Sequence, residues 1–259
     1  MNQSKNILLK IIYIALFSAL CFIGTMIFIP FGASKVHLGN FFCILAGLLC
    51  GGFIGGLSGS IGMGLNDIVF GYTPSTYIRT FILKFLMGFI VGTLFRFLLK
   101  KKANAKILNL ISTIFMLIVS ITMLILYLYN VENITILLIV LSFILFVLFV
   151  VIFAFSFKFD SNLNCISFAL VISISTNVIG EFLLRWLFNI ILGMENNQAI
   201  MSSIIRLPAS LLTSIVTIIL IIPLFYPLYK ATRKINAFND LDDILILQKE
   251  RNMNENEKK

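Results

Sequence analysis

Long apolar runs separated by short polar segments make up most of the chain. The runs cover about residues 7–29, 38–69, 76–99, 106–129, 134–157, 164–192 and 201–229. A helix rises 1.5 Å per residue, so about 20 residues cross the apolar core of a bilayer. The pattern predicts membrane-spanning helices, and the run at 38–69 is too long for one of them.

The second run breaks most naturally at Cys50-Gly51-Gly52, because glycine is a poor helix former. A division at this point gives two short spans and raises the total to eight. We therefore predict an all-α polytopic membrane protein with eight spans.

Composition supports a membrane protein. The 259 residues are 59% hydrophobic and only 12% charged, which is more apolar surface than a soluble domain of this size buries. Lys5 and Lys10 are followed by an apolar stretch from Ile11 to Phe31, which is longer than the apolar core of a signal peptide, so we expect an uncleaved first span. The net charge of +9 is explained by loop cations that set orientation, and no basic stripe with exposed aromatic residues indicates nucleic-acid binding.

Eight spans place both termini on one side of the membrane, and the charges indicate that this side is the cytoplasm. The outer segments at 30–37, 70–76, 130–133 and 193–200 then carry Lys35 as their only cation. The inner segments carry Lys5, Lys10, Arg96, Lys100, Lys101, Lys102, Lys106, Lys158, Lys230, Arg233 and Lys234. We expect the tail at 235–259 to be a polar cytoplasmic extension.

Seven of the sixteen glycines lie in the stretch from Gly51 to Asp67. Six of them and Ser60 recur at intervals of four in two series, Gly52, Gly56, Ser60, Gly64 and Gly51, Gly55, Gly59. Such spacing predicts two adjoining grooves of small residues, where neighbouring helices approach closely. A glycine-lined binding site is the alternative.

Charged residues within the spans all fall in the predicted outer leaflet, where each needs a reason because burial of charge is costly. They are Asp67, Arg79, Lys84, Glu181, Arg185 and Arg206. Two stripes with a spacing of four residues, Asn177-Glu181-Arg185-Asn189 and Ser202-Arg206-Ser210-Ser214, predict a shared cavity open to the outside. In the alternative, Glu181 only neutralises Arg185, and Arg79 and Arg206 reach the headgroups. Lys84 needs either Asp67 or an anionic ligand as its partner.

Catalytic and metal-binding patterns are weak. Cys21, Cys43, Cys50 and Cys165 lie in apolar runs, and His37 is the only histidine, so we expect no metal site. Gly56-Leu57-Ser58-Gly59 matches the GxSG of intramembrane serine proteases, yet no later histidine is present to activate the serine. The sequence has no phosphate-binding loop. We expect no enzyme, no catalytic residue and no cofactor.

Five segments in order resemble the substrate-binding (S) components of energy-coupling-factor (ECF) vitamin transporters. They are "ALFSAL", "VHLGNFFCILAGLL", "GLNDIVFGYTPSTY", "FILKFLMGFIVGTLFR" and "RLPASLLTSIVTIILIIPLFYPLYK". The resemblance implies a six-helix bundle built from residues 1–102 and 164–234, with residues 103–163 as an inserted transmembrane hairpin and 235–259 as the tail.

The resemblance also implies a function. Such a subunit binds a water-soluble vitamin or vitamin precursor in the outer half of a bacterial cell membrane, and works with a transmembrane T subunit and two cytoplasmic ATPases. The expected substrate-binding residues are His37, Asn40, Asn66, Asp67, Tyr77, Lys84, Asn177, Glu181, Arg185 and Arg206. The expected T-subunit contacts are Ala15, Ser18 and Ala19. The alternative is an ion-coupled secondary transporter that uses Asp67 or Glu181, although the inverted repeats typical of that class are not seen.

Overall fold

A computed structural model of the chain describes residues 3–32, 34–101, 105–128, 136–156 and 161–232. The predicted loop at 130–133 and the predicted tail at 235–259 lie outside these residues. The described residues form helices and one two-stranded sheet in the order α1 (Gln3–Met26), β1 (Phe28–Phe31), β2 (Ser34–His37), α2 (Gly39–Cys50), α3 (Gly52–Val69), α4 (Pro74–Lys101), α5 (Ala105–Leu128), α6 (Ile136–Ser156), α7 (Ser161–Ile191), α8 (Asn196–Ile204) and α9 (Leu207–Thr232).

Five stretches among the described residues are long and apolar enough to cross a membrane: Ile7–Met26, Pro74–Lys101, Ile136–Ala154, Asn164–Ile191 and Asn196–Phe225. Shorter apolar helices cover Gly39–Cys50 and Lys106–Thr122. The chain is therefore an all-α polytopic membrane protein, apart from its short sheet. The count of eight spans and the side on which the termini lie stay predictions.

Helices α2 and α3 meet at Gly51, so the break predicted from run length is confirmed. Gly51 has φ of 108°, a backbone conformation that side chains rarely allow. The guanidinium group of Arg96 in α4 donates to the carbonyl oxygens of Gly47 (3.0 Å) and Leu49 (3.1 Å) at the end of α2. A cation thus caps the carbonyl end of a helix, which stabilises the early ending of α2.

The glycines of α3 allow close contact with three neighbouring helices, α1, α2 and α4. A methyl group on Gly55 would contact the backbone of Gly47 in α2. One on Gly56 would lie 2.8 Å from the carbonyl oxygen of Phe85 in α4, and one on Gly62 would meet α1. The two predicted small-residue grooves are confirmed, one facing α2 and the other facing α4.

The remaining helices build outward from α4. Helix α4 packs against α7, which contacts α5, α8 and α9, while α6 packs on α5 and α9. Polar contacts join these helices: Ser120 of α5 donates to the carbonyl oxygen of Ser142 of α6 (3.0 Å), and Asn109 of α5 donates to Asn164 of α7 (3.3 Å). Small polar residues commonly link helices within membranes. That α5 and α6 are an insertion stays a prediction.

The predicted outer segment at 30–37 was expected to be a loop, but its described residues, 30–32 and 34–37, belong to an antiparallel hairpin. Phe28 pairs with His37 and Phe31 pairs with Ser34, while Gly32 supplies a left-handed turn residue with φ of 57°. Consequently α1 ends at Met26, before the predicted end of the first span at 29.

The predicted outer segment at 193–200 was also expected to be a loop, but it contains the first residues of α8, which begins at Asn196. Gly193, with φ of 86°, turns the chain after α7. A short break at 205–206 then separates α8 from α9. Pro208 lies in the first turn of α9, where a helix tolerates proline because its missing N–H has no partner there.

We expect Gly56→Leu to lower stability more than Gly64→Leu. The new side chain at position 56 meets the backbone of Phe85, whereas at position 64 it meets the ring of Phe81, which is able to move. Overpacking costs about 1–3 kcal/mol, and backbone contacts place Gly56→Leu at the upper end. Thermal unfolding in detergent without ligand measures the effect. Phe53→Leu, which puts leucine on the exposed face of the same helix, is the control; equal melting of all three variants would contradict the packing role.

Candidate functional site

A polar cavity of about 400 Å³ lies where the hairpin, α1 to α4, α7 and α9 meet. This volume falls in the range of small-molecule pockets. Eight of the ten side chains predicted to bind substrate line it: His37, Asn40, Asp67, Lys84, Asn177, Glu181, Arg185 and Arg206. Each predicted polar stripe lines the cavity in part. Asn177, Glu181 and Arg185 of the first and Arg206 and Ser210 of the second are lining residues, and Asn189, Ser202 and Ser214 are not.

Two predicted residues, Asn66 and Tyr77, are not among the side chains that line the cavity. Asn66 is fully buried and donates to the carbonyl oxygen of Phe22 in α1 at 3.5 Å. On α4 the cavity is lined by Thr76 and Thr80, which lie one turn apart, so Tyr77 points about 100° away from Thr76 around the helix.

Several lining residues were missed by the sequence analysis. They are Thr25, Phe28, Pro30, Gly32, Ser34, Lys35, Met63, Tyr72, Thr76, Thr80, Ser210 and Thr213. Hydroxyl and apolar residues of this kind carry no distinctive sequence signal. Two of them did have one: Lys35 is the only cation of the predicted outer segments, and Ser210 belongs to a predicted polar stripe.

Lys84 lies at the buried centre of the cavity wall, with 7% of its surface exposed. Its ammonium group donates to the side-chain oxygen of Asn40 in α2 at 2.9 Å and to that of Asn177 in α7 at 2.6 Å. Both acceptors are neutral. Among the described residues no carboxylate lies within ion-pair distance of Lys84, so Asp67 is not its direct partner.

Asp67, near the end of α3, accepts a hydrogen bond of 2.5 Å from the hydroxyl group of Thr80 in α4. Lys35 of the hairpin is close enough to interact electrostatically with Asp67. The Lys35 ammonium donates to Asn66 at 3.3 Å and lies 5.2 Å from the centre of the Tyr72 ring. Cation–π contacts of this kind help to compensate its charge.

Glu181 and Arg185 of α7 form an ion pair of 2.8 Å, as their spacing of four residues predicts. Arg206, in the turn before α9, is near enough to both to interact electrostatically. Within the described part of the chain, no side-chain hydrogen bond or ion pair of Arg206 is found. Two buried donors on cavity-lining residues, Nε of Arg185 and Oγ of Ser210, also have no partner there.

Arg79, a cation predicted to lie in the outer leaflet, does not line the cavity. It was expected, in one alternative, to reach the headgroups. The side chain is instead 7% exposed and folds back on the start of α4, where it donates to the Ser75 carbonyl oxygen (3.0 Å) and the Thr76 hydroxyl group (3.2 Å). The start of α4 therefore provides the hydrogen-bond acceptors of the Arg79 side chain.

His37 is the last residue of β2 in the hairpin. Its Nδ1 accepts a hydrogen bond of 3.1 Å from the backbone N–H of Gly39, which assigns the proton of the neutral ring to Nε2. Burial, together with the positive charges of Lys84 and Lys35, lowers the pKa of His37 to about 3. The ring is therefore a neutral donor toward the cavity at physiological pH.

We expect acid to destabilise the protein through His37. Below pH 6.5 the unfolded chain binds a proton at this ring that the folded chain does not, so stability falls between pH 6.5 and about 3. Relative to His37→Asn, the wild type should lose up to about 1.4 kcal/mol per pH unit in this window. Melting curves of both proteins at pH 7.5 and pH 5 measure the difference, and an identical pH dependence would contradict it.

The expected partner-binding residues on α1 do not share one face. Ala15 and Ala19 are exposed, whereas Ser18 is 8% exposed and lies at the contact with Gly62 of α3. We therefore remove Ser18 from the candidate surface. The serine of the GxSG motif, Ser58, is fully buried at the same contact between α1 and α3, where it donates to a backbone carbonyl group at 3.4 Å.

Comparison with known protein families identifies a match. The family model for the S component of the ECF-type riboflavin transporter matches residues 5–157, which is more than half of the chain. The matched range includes α5 and α6, and it ends before α7. No curated protein and no solved structure matches the chain.

Proposed function

The chain belongs to the family of ECF-type riboflavin transporter S components, which are substrate-binding subunits rather than enzymes, and on this premise we propose that it captures a vitamin or vitamin precursor from outside a bacterial cell. A transmembrane T subunit and two cytoplasmic ATPases would supply the energy for release to the inside. The name of the family makes riboflavin the first compound to test.

The polar cavity is the observation that carries this proposal. It combines charged residues, amide side chains and hydroxyl groups within an otherwise apolar bundle, at the end of the helices predicted to face outward. Buried polar groups are costly in a membrane, so they indicate a site for a polar molecule. The hairpin forms part of the wall of the cavity, which suits a substrate that enters from the outer solution.

The alternative, an ion-coupled secondary transporter, depends on an isolated carboxylate. Glu181 is paired with Arg185, and Asp67 accepts from Thr80 while Lys35 lies nearby. These contacts do not favour a lone proton or sodium site at either residue, and we retain the binding subunit as the proposal.

We expect the purified protein to bind a compound from a vitamin panel but to transport none without its partners. A ligand at about 100 times its Kd should stabilise the folded state by about 2.7 kcal/mol, which thermal-shift measurements detect. Proteoliposomes that contain only this chain should show no uptake under a proton or sodium gradient. Gradient-driven uptake would favour the secondary transporter, and a panel without any binder would contradict the proposal.

We further propose that Ala15 and Ala19 contact the T subunit. Ala15→Trp or Ala19→Trp should abolish co-purification with a T subunit, because a large side chain blocks close helix contact. Ligand affinity should stay the same, since neither residue lines the cavity. Ile118→Trp, which places the same side chain on an exposed position of α5, is the matched control. Recovery of the intact complex with both Ala15→Trp and Ala19→Trp would contradict the proposal that this surface binds the T subunit.

A further inference from the structure

The cavity walls carry more positive than negative side chains. The cations are Lys35, Lys84, Arg185 and Arg206, and the carboxylates are Asp67 and Glu181. Charged groups removed from water need a partner of opposite charge or strong hydrogen bonds. The question is therefore which cations the two carboxylates serve.

Among the described residues, neither carboxylate lies within ion-pair distance of Lys84 or Arg206. Glu181 forms its ion pair with Arg185 on the same helix, and Asp67 accepts from Thr80 and interacts with Lys35. Lys35 has further compensation from three aromatic rings within 5.5 Å and from Asn66. Lys84 and Arg206 thus interact with these carboxylates at longer range only, and neither cation has an ion pair in the described part of the chain.

These two cations also have unused donors. The ammonium group of Lys84 has three N–H donors, and the two acceptors that the structure gives it are amides. In the described part of the chain, Arg206 has no side-chain acceptor, and Ser210, one turn further along α9, has a buried hydroxyl group without a partner. Three residues that line the cavity, Lys84, Arg206 and Ser210, thus have donors without an acceptor in the described part of the chain.

We infer that the substrate carries an anionic group, a carboxylate or a phosphate, that Lys84 and Arg206 bind. This inference rests on the proposed function and adds the chemical class of the substrate. An anion would supply both the missing charge and the missing acceptors. A phosphate monoester, with a charge of about −1.5 to −2 at pH 7, compensates both cations, whereas a carboxylate compensates one.

The donor groups of Arg206 and Lys84 suit either a carboxylate or a phosphate. The planar guanidinium group of an arginine binds two oxygens of a carboxylate or phosphate at once, while a lysine ammonium is a compact point charge. Lys84 is anchored by helices α2 and α7 through its two amide acceptors, so its remaining donor is already directed before a ligand arrives. Such preorganisation reduces the entropy lost on binding.

Matched pairs of compounds test the inference on the purified full-length chain. The pairs are riboflavin 5′-phosphate with riboflavin, pantothenate with pantothenol, and nicotinate with nicotinamide. Titration calorimetry should show that, in the pair that binds, the anionic member binds about 10- to 150-fold more tightly than the neutral one. Tighter binding only in the flavin pair identifies a phosphate, and tighter binding in one of the other two pairs identifies a carboxylate.

Variants locate the effect. Arg206→Met and Lys84→Met should each weaken binding of the anionic compound by about tenfold or more and leave the affinity for the neutral compound unchanged. Arg79→Met is the matched control, because it removes a buried cation of the same helix α4 that does not line the cavity. Lys84→Met leaves Asn40 and Asn177 without their donor, so if that variant does not fold, Arg206→Met decides.

The results separate this inference from the proposed function. If a neutral compound binds as tightly as its anionic partner and Arg206→Met changes neither affinity, the anionic group is refuted while vitamin binding stands. If no member of any pair binds to the wild-type protein, the proposed function fails for these vitamins and the inference fails with it.

Discussion

The close approach of α3 to α2 and α4 is the constraint on which the cavity depends. A methyl group on Gly59 would contact the Cys43 side chain of α2 and lie 3.3 Å from the carbonyl oxygen of Lys84 in α4. Cys43 itself donates weakly to that carbonyl oxygen at 3.5 Å. Because Gly59 has no side chain, α2 and α4 come close together near Lys84. Asn40, one turn from Cys43 on α2, therefore accepts a hydrogen bond from the Lys84 ammonium group. The glycine contacts of α3 therefore also position the polar residues of the cavity.

Most charged side chains in and beside the cavity have partners within the protein. Each carboxylate of the cavity has a local partner, and Arg79 is satisfied by its own helix start. Lys84 and Arg206 face the cavity with neutral or missing acceptors in the described residues, and they lack the aromatic contacts that Lys35 makes. In a medium of low dielectric constant such an imbalance is costly when the site is empty and favourable when a complementary ligand is bound. It provides a physical basis for selectivity in a subunit of a transporter family.

Helices α7 and α9 supply much of the polar wall, yet they lie outside the range that the family model matches. The matched range contains the glycine contacts, the hairpin and Lys84, which together form the framework of the site. Under the proposed function, substrate selectivity depends on the residues that α7, α9 and the turn before α9 contribute, and these include both arginines of the cavity. Membership of the family and the identity of the substrate are thus separate questions for this chain.

Sequence alone determined the features that depend on a single helix. Span length located the break at Gly51, the interval of four residues identified the glycine grooves, and the same interval paired Glu181 with Arg185, because helical geometry relates residues one turn apart. Eight of ten predicted residues line the cavity since polar groups on apolar helices turn inward. Contacts between distant segments required the tertiary structure. The partners of Lys84 lie 44 and 93 positions away, and the rotation of α4 decides that Thr80 rather than Tyr77 faces the cavity. The hairpin and the inward side of Ser18 depend likewise on packing between elements, which local periodicity does not encode.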